Sequence, residues 1–178
     1  LLLLMLSASA HADHKELQSL ADEDQAARTG QDVARSDDER RHRVLALLGS
    51  GAIKTPRDRF NAALVLQHTG LTYCDGALTS LSAENYLLAH HLFRSAFASG
   101  IKEAGYLSAA AIDRYLTMTE GYQRYGTNRL IDPETGEERL APIDRDVTDA
   151  ERATYGVPPL AELLKRYPEA PRKTPDPK

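Results

Sequence analysis

The sequence has a single cysteine, Cys74, so no internal disulfide can staple the fold, which must rest on its core. Such a cysteine reads as a small buried hydrophobe rather than a nucleophile. Basic charge is not in excess either: 22 Lys and Arg stand against 26 Asp and Glu, a formal net charge of -4. That balance gives nucleic acid and anionic lipid little to hold, and neither is expected as a partner. Long apolar runs are missing too. A spanning helix needs about 20 apolar residues, whereas the run from Leu1 breaks after Leu6 and no second one follows, so no stable membrane insertion is expected. There is no G-x-S-x-G elbow, no H-E-x-x-H, no pair of histidines at i, i+4 and no glycine-rich phosphate loop, so neither covalent catalysis nor a metal or other cofactor is expected. The adjacent His90 and His91 project about a hundred degrees apart on a helix and are expected to flank an exposed face.

The chain begins with an apolar stretch that passes into small residues, and Ala10-His11-Ala12 fits an A-x-A cleavage site. Residues 1–12 are expected to be a partial signal peptide lacking its charged start, with cleavage before Asp13 and export to a periplasm or the exterior. Residues 13–167 fit one domain on the scale of about 100 to 200 residues per domain. Residues 168–178 alternate prolines with charges and are expected to form an extended, mobile tail outside any site.

Within the domain the signals are helical. Ser36-Asp37-Asp38-Glu39 is a capping box ahead of Val44, Leu45, Leu47 and Leu48, and Thr55-Pro56-Arg57-Asp58 opens a second helix expected to run to about His68. Ser82 is expected to cap a long helix that Gly100 ends, followed by one reaching Thr119. Thr148 and Pro159 open two short helices. Pro133-Glu134-Thr135-Gly136, flanked by 127–132 and 137–143, suits a small β-hairpin. The fold expected is mainly α: a compact bundle of paired helices with small residues at their crossings, reminiscent of tetratricopeptide or Sel1 pairs, with a β-hairpin near the C-terminal third.

Residues at i, i+3, i+4 and i+7 share a helix face, so polar exceptions to an apolar stripe can be named. Leu17, Leu20 and Ala21 lead to Asp24, with Arg28 four residues on. Phe60, Ala63 and Leu64 lead to Gln67, with His68 on the flank. Leu107 and Ala110 lead to Arg114, while Asp113 belongs to the neighbouring face of Ala109, Ile112 and Leu116 and should meet a different partner. Buried charges need partners, so these residues are either a network that fixes helix register or the lining of a pocket.

The segment DRYLTMTEGYQRYGT, Asp113 to Thr127, together with DQAAR at Asp24, QH at Gln67 and DAER ahead of YGVPPL, resembles an uncharacterised bacterial family, a domain of unknown function. Its members look alike in a DQxxR element, a QH pair and a long signature running from DRxL to QxYGTQ; Asn128 departs from the last glutamine. The resemblance implies no activity. It adds Gln25, Gln123, Tyr125, Gly126 and Thr127 to the positions of interest.

Chemically, His68 is the candidate general base, with Asp24 or Asp113 to orient it. Arg28, Gln67, Arg114, Gln123, Tyr125 and Thr127 are the candidate ligand-binding residues, with Arg124 and Arg152 as further donors, because arginine forks recognise carboxylate and phosphate. Three functions remain open: a binding or interaction domain for a small anionic or peptide-like ligand, a metal-independent hydrolase with Arg114 stabilising developing charge, and a helical scaffold that docks a protein partner.

Overall fold

The computed structural model describes residues 11–74, 77–131 and 135–172, with the backbone alone at 73, 74, 77 and 78. The expected signal segment up to residue 10, the Cys74 side chain, the Pro133-Glu134 turn and the tail beyond residue 172 lie outside the described residues. Seven helices occur among them: α1 (Lys15–Arg28), α2 (Asp37–Gly49), α3 (Pro56–Leu66), α4 (Glu84–Ala98), α5 (Ala104–Thr119), α6 (Asp149–Thr154) and α7 (Leu160–Arg166). Two antiparallel hairpins accompany them, β1 (Leu71–Cys74) with β2 (Ala77–Ser80), and β3 (Arg129–Ile131) with β4 (Glu138–Leu140). The fold is mainly α, and none of the described helices is long and apolar enough to cross a membrane.

α3 is the hub, packed against α1, α2 and α4, while α4 packs in turn on α5. Burial explains this: of α3's eleven residues seven are buried, among them Phe60, Ala62, Ala63, Val65 and Leu66. Its small residues let neighbours close in, and Phe60 meets Phe93 of α4 edge to face at 5.5 Å. A second, smaller core gathers Ala109 of α5 with Tyr125, Leu140, Ile143, Val147, Val157 and Leu163, roofing α5 with the C-terminal third.

Both capping boxes form. Ser36 Oγ accepts from Glu39 N–H at 3.3 Å while the Glu39 carboxylate accepts from Ser36 N–H at 2.8 Å. At α3 the box does more than cap. Asp58 accepts from the backbone N–H groups of Thr55 and Lys54, each at 3.0 Å, and from that of His14 at 2.8 Å, while Thr55 Oγ1 donates to Asp13 at 2.7 Å. The start of α1 is thereby clamped to the start of α3. Burial works to raise the Asp58 carboxyl, but the N–H donors of His14, Thr55 and Lys54 outweigh it and hold it below the usual carboxylate range.

Four expectations are modified. Ser82 does not cap α4, which starts from Ala83 without a side-chain cap; the Ser82 hydroxyl donates instead to Glu84 at 3.0 Å. α3 stops at Leu66, and Gln67 and His68 lie in its closing turn, where Thr69 N–H reaches back to Leu66 O at 3.2 Å. The β1–β2 hairpin is additional, and its sequence signal is the Asp75-Gly76 pair between the strands. Finally, the tail is extended but docked at its root. Leu140 N–H donates to Pro168 O at 2.9 Å, Ala170 N–H to Leu140 O at 2.8 Å, and Ile143 N–H to the Glu169 carboxylate at 2.7 Å. Pro168 to Ala170 thus satisfy the free edge of β4, which the proline and charge content conceals.

Candidate functional site

α1, α3, α5 and the segment after Gly126 enclose a cleft of about 450 Å³. Five of the sequence candidates border it: Arg28, Gln67, His68, Arg114 and Thr127, joined by Gln25, Asn128 and Arg129. Apolar groups line it as well, Leu64 from α3 and Leu107 and Ala110 from α5, along with Tyr106.

Asp24 stands behind His68 rather than in the cleft. Its side chain is 2% exposed, and its Oδ2 lies 2.6 Å from His68 Nδ1. A carboxylate only accepts, so Nδ1 takes the donor role and Nε2 becomes the ring's acceptor. Asp24 is itself held from several sides. Gln25 Nε2 donates to Oδ2 at 3.0 Å, Arg28 approaches Oδ1 at 3.6 Å, and Arg40 Nε lies 3.9 Å from Oδ1. Arg40 is buried in α2 and also bonds to Asp37 and to the carbonyl of Arg35. It is the main residue the sequence reading omits, although it precedes Val44 by four positions and Leu47 by seven and so lies on their stripe.

Arg114 reaches across from α5 and donates from Nη1 to the carbonyl of Gln67 at 2.9 Å. That carbonyl is free because α3 ends there, and the last carbonyls of a helix have no intrahelical partner. Among the described residues Arg114 has no other hydrogen bond and no ion pair. Burial pulls its guanidinium down from the ordinary value, with Tyr86 and Tyr106 acting the other way; an arginine stays cationic in a protein all the same.

Asp113 faces away from this cleft, as its helix position requires. Its Oδ1 accepts from the backbone N–H groups of Arg124 at 2.8 Å and Tyr125 at 2.9 Å. Its Oδ2 accepts from Gly126 N–H at 3.0 Å, Thr127 N–H at 2.9 Å and Thr127 Oγ1 at 2.7 Å. Burial raises the Asp113 carboxyl above its ordinary value, against the pull of the donors from Thr127, Tyr125 and Arg124. Because every neighbour donates, the loop is folded around the ionised form. The carboxylate is taken up by the loop and does not meet His68, whose Nδ1 pairs with Asp24 instead. Thr127 lines the cleft, with its hydroxyl proton donated to Asp113.

Gln123 and Tyr125 are likewise placed elsewhere. Gln123 is fully buried, donating from Nε2 to Asn128 O at 2.9 Å and Ala141 O at 2.8 Å while Oε1 accepts from Asn128 N–H at 2.7 Å. Arg152, also buried, donates to Tyr125 O at 3.1 Å and Val147 O at 2.7 Å. Both brace the loop from Gln123 to Asn128. At Gly126, φ is +97°, a conformation that favours glycine, and a Cβ would sit 2.7 Å from a Leu163 methyl, so any other residue there is strained.

Tyr125 borders a second cleft of about 230 Å³ with His90, Arg94, Arg124, Glu151 and Tyr155. Burial and its neighbour Tyr155 push the Tyr125 hydroxyl up to about 12. Arg124 pairs with Glu151 at 3.2 Å. Of the adjacent histidines His91 is exposed, while His90 is half-buried: its Nδ1 lies 2.9 Å from Ser108 O, and burial pushes the imidazole below its ordinary value. The unfolded chain therefore takes up this proton first. His90's contribution to stability should be complete above about pH 6.5 and decline as the pH falls below it; in His90→Gln, urea melts between pH 7 and 5 should show a flatter decline.

Among the described residues no three His, Cys, Asp or Glu side chains group to hold a metal ion. No family model, no curated protein and no solved structure matches the chain.

Proposed function

We propose that the chain is a binding domain whose larger cleft takes a small anion on Arg114. The observation that carries this is a half-buried guanidinium, bordering a concavity, with one backbone carbonyl as its hydrogen-bond partner and no carboxylate within ion-pair distance among the described residues. A cation removed from water without a counter-charge is costly, and an anionic ligand would supply that charge with charge-assisted hydrogen bonds. The Ala10-His11-Ala12 pattern supports export, which would put the ligand in a periplasm or outside the cell.

The test is an NMR titration of the labelled protein with phosphate, sulfate, acetate, benzoate and citrate at low salt. At least one anion should shift resonances of Gln67, His68 and Thr127, and Arg114→Gln should weaken it by a factor of about ten or more while the melting temperature stays close to that of the parent. Retained affinity in Arg114→Gln, or no response to any anion, would end the reading.

The 2.6 Å contact of Asp24 with His68 supports a second reading, a hydrolase in which His68 Nε2 takes a proton from water attacking a substrate held on Arg114. Turnover of esters or amides that carry an acidic group, lost in His68→Gln without loss of fold, would establish it.

A further inference from the structure

Resting on the anion-binding reading, we propose that the ligand is a monocarboxylate on an apolar, preferably aromatic, body, presented as a free acid or as the last residue of a peptide.

Charge balance sets the monoanion. The other arginines at the cleft already have carboxylates, Arg28 lying between Asp24 and Asp37 and Arg129 Nη1 donating to Glu138 at 2.9 Å, while the neutral His68 ring donates from Nδ1 to Asp24. Arg114 alone contributes an uncompensated charge. A dianion such as phosphate would bring a second negative charge without a free cation to meet it.

The shape of the fork sets the carboxylate. Gln67 O takes up Nη1 at 2.9 Å. The remaining edge, formed by Nε–H and Nη2–H, has no partner among the described residues and presents two parallel donors, the pattern that matches the two oxygens of one carboxylate. The apolar part of the lining sets the body. Leu64, Leu107 and Ala110 offer aliphatic surface, and the Tyr106 ring is 46% exposed at the cleft edge, available to stack on a flat group. A cleft of about 450 Å³ has room for such a molecule.

The experiment titrates the whole chain, by NMR, with N-acetylphenylalanine, its C-terminal amide, acetate, phenyl phosphate and the peptide Gly-Gly-Phe. N-acetylphenylalanine should bind at least tenfold more tightly than its amide and than acetate. Arg114→Lys, which keeps the charge and loses the fork, should weaken it severalfold. Tyr106→Ala should weaken N-acetylphenylalanine severalfold while leaving acetate unchanged. Gly-Gly-Phe binding more tightly than N-acetylphenylalanine would identify a peptide end as the source, and weaker binding a free acid. The proposal is overturned if the amide or acetate binds as well as the acid, if Arg114→Lys is neutral, or if phenyl phosphate binds best. Phenyl phosphate binding that Arg114→Gln removes would still leave the anion site standing, whereas silence from every anion removes both.

Discussion

Asp113→Ala is expected to lower the unfolding free energy by about 4 kcal/mol, because it strands four backbone N–H groups and the Thr127 hydroxyl that the carboxylate now satisfies. Tyr125 and Gly126 are buried, so water cannot readily replace the lost acceptor there. Asp113→Asn should recover little: an amide keeps one acceptor oxygen and turns its NH₂ towards groups that themselves donate. Urea melts read the effect directly. A loss below about 1 kcal/mol, the net worth of one ordinary hydrogen bond, would mean that the loop finds other acceptors. Because Thr127 and Asn128 line the larger cleft, the same substitution should also loosen its wall, which would show as line broadening of the Thr127 and Asn128 amides.

Arg40→Met is expected to destabilise the fold by about 3 kcal/mol, for an electrostatic rather than a steric reason. The guanidinium side chain is 1% exposed and stands between Asp24 and Asp37. Removing it leaves Asp24, buried equally deeply, with the more exposed Arg28 at 3.6 Å and the His68 imidazole. It also strips the Arg35 carbonyl of its donor. Replacing both members with apolar residues should be gentler. Arg40→Met combined with Asp24→Leu should fall short of the summed single effects by about 1 kcal/mol or more, since neither charge is then left alone in the interior. Additive effects in that double-mutant cycle would show that Arg40 acts through Asp37 and not through Asp24.

Helix periodicity made part of this arrangement legible beforehand. Asp24, Gln67 and Arg114 interrupt apolar stripes on three helices, which marks each as facing inward; the packing of those helices then puts Asp24 behind His68, and Gln67 and Arg114 along one cleft. The same geometry separates Asp113 from Arg114, and the two indeed face different partners. What periodicity cannot convey is which polar residue is spent on backbone. Gln123 and Arg152 have the side chains of a binding site, yet they brace a loop, because the groups they satisfy are mostly main-chain donors and acceptors with no identity in the sequence. Chain ends suffer similarly: Glu169 reads as one more charge in a proline-rich tail, and only the register of β4 gives it a partner.

The clamp at the start of α1 bears on how the chain would tolerate trimming. Asp13 and His14 reach α3 through one side-chain oxygen and one main-chain N–H, so a cut just before Asp13 keeps both links and places a new ammonium beside the carboxylates of Asp13 and Asp58. A cut two residues further in removes both links, together with the His14 ring that caps α1 through Leu17 N–H. Fraying there would start next to Leu17 and Leu20, which have no exposed surface. Proteolytic susceptibility should rise sharply once Asp13 and His14 are both gone, since both links to α3 go with them.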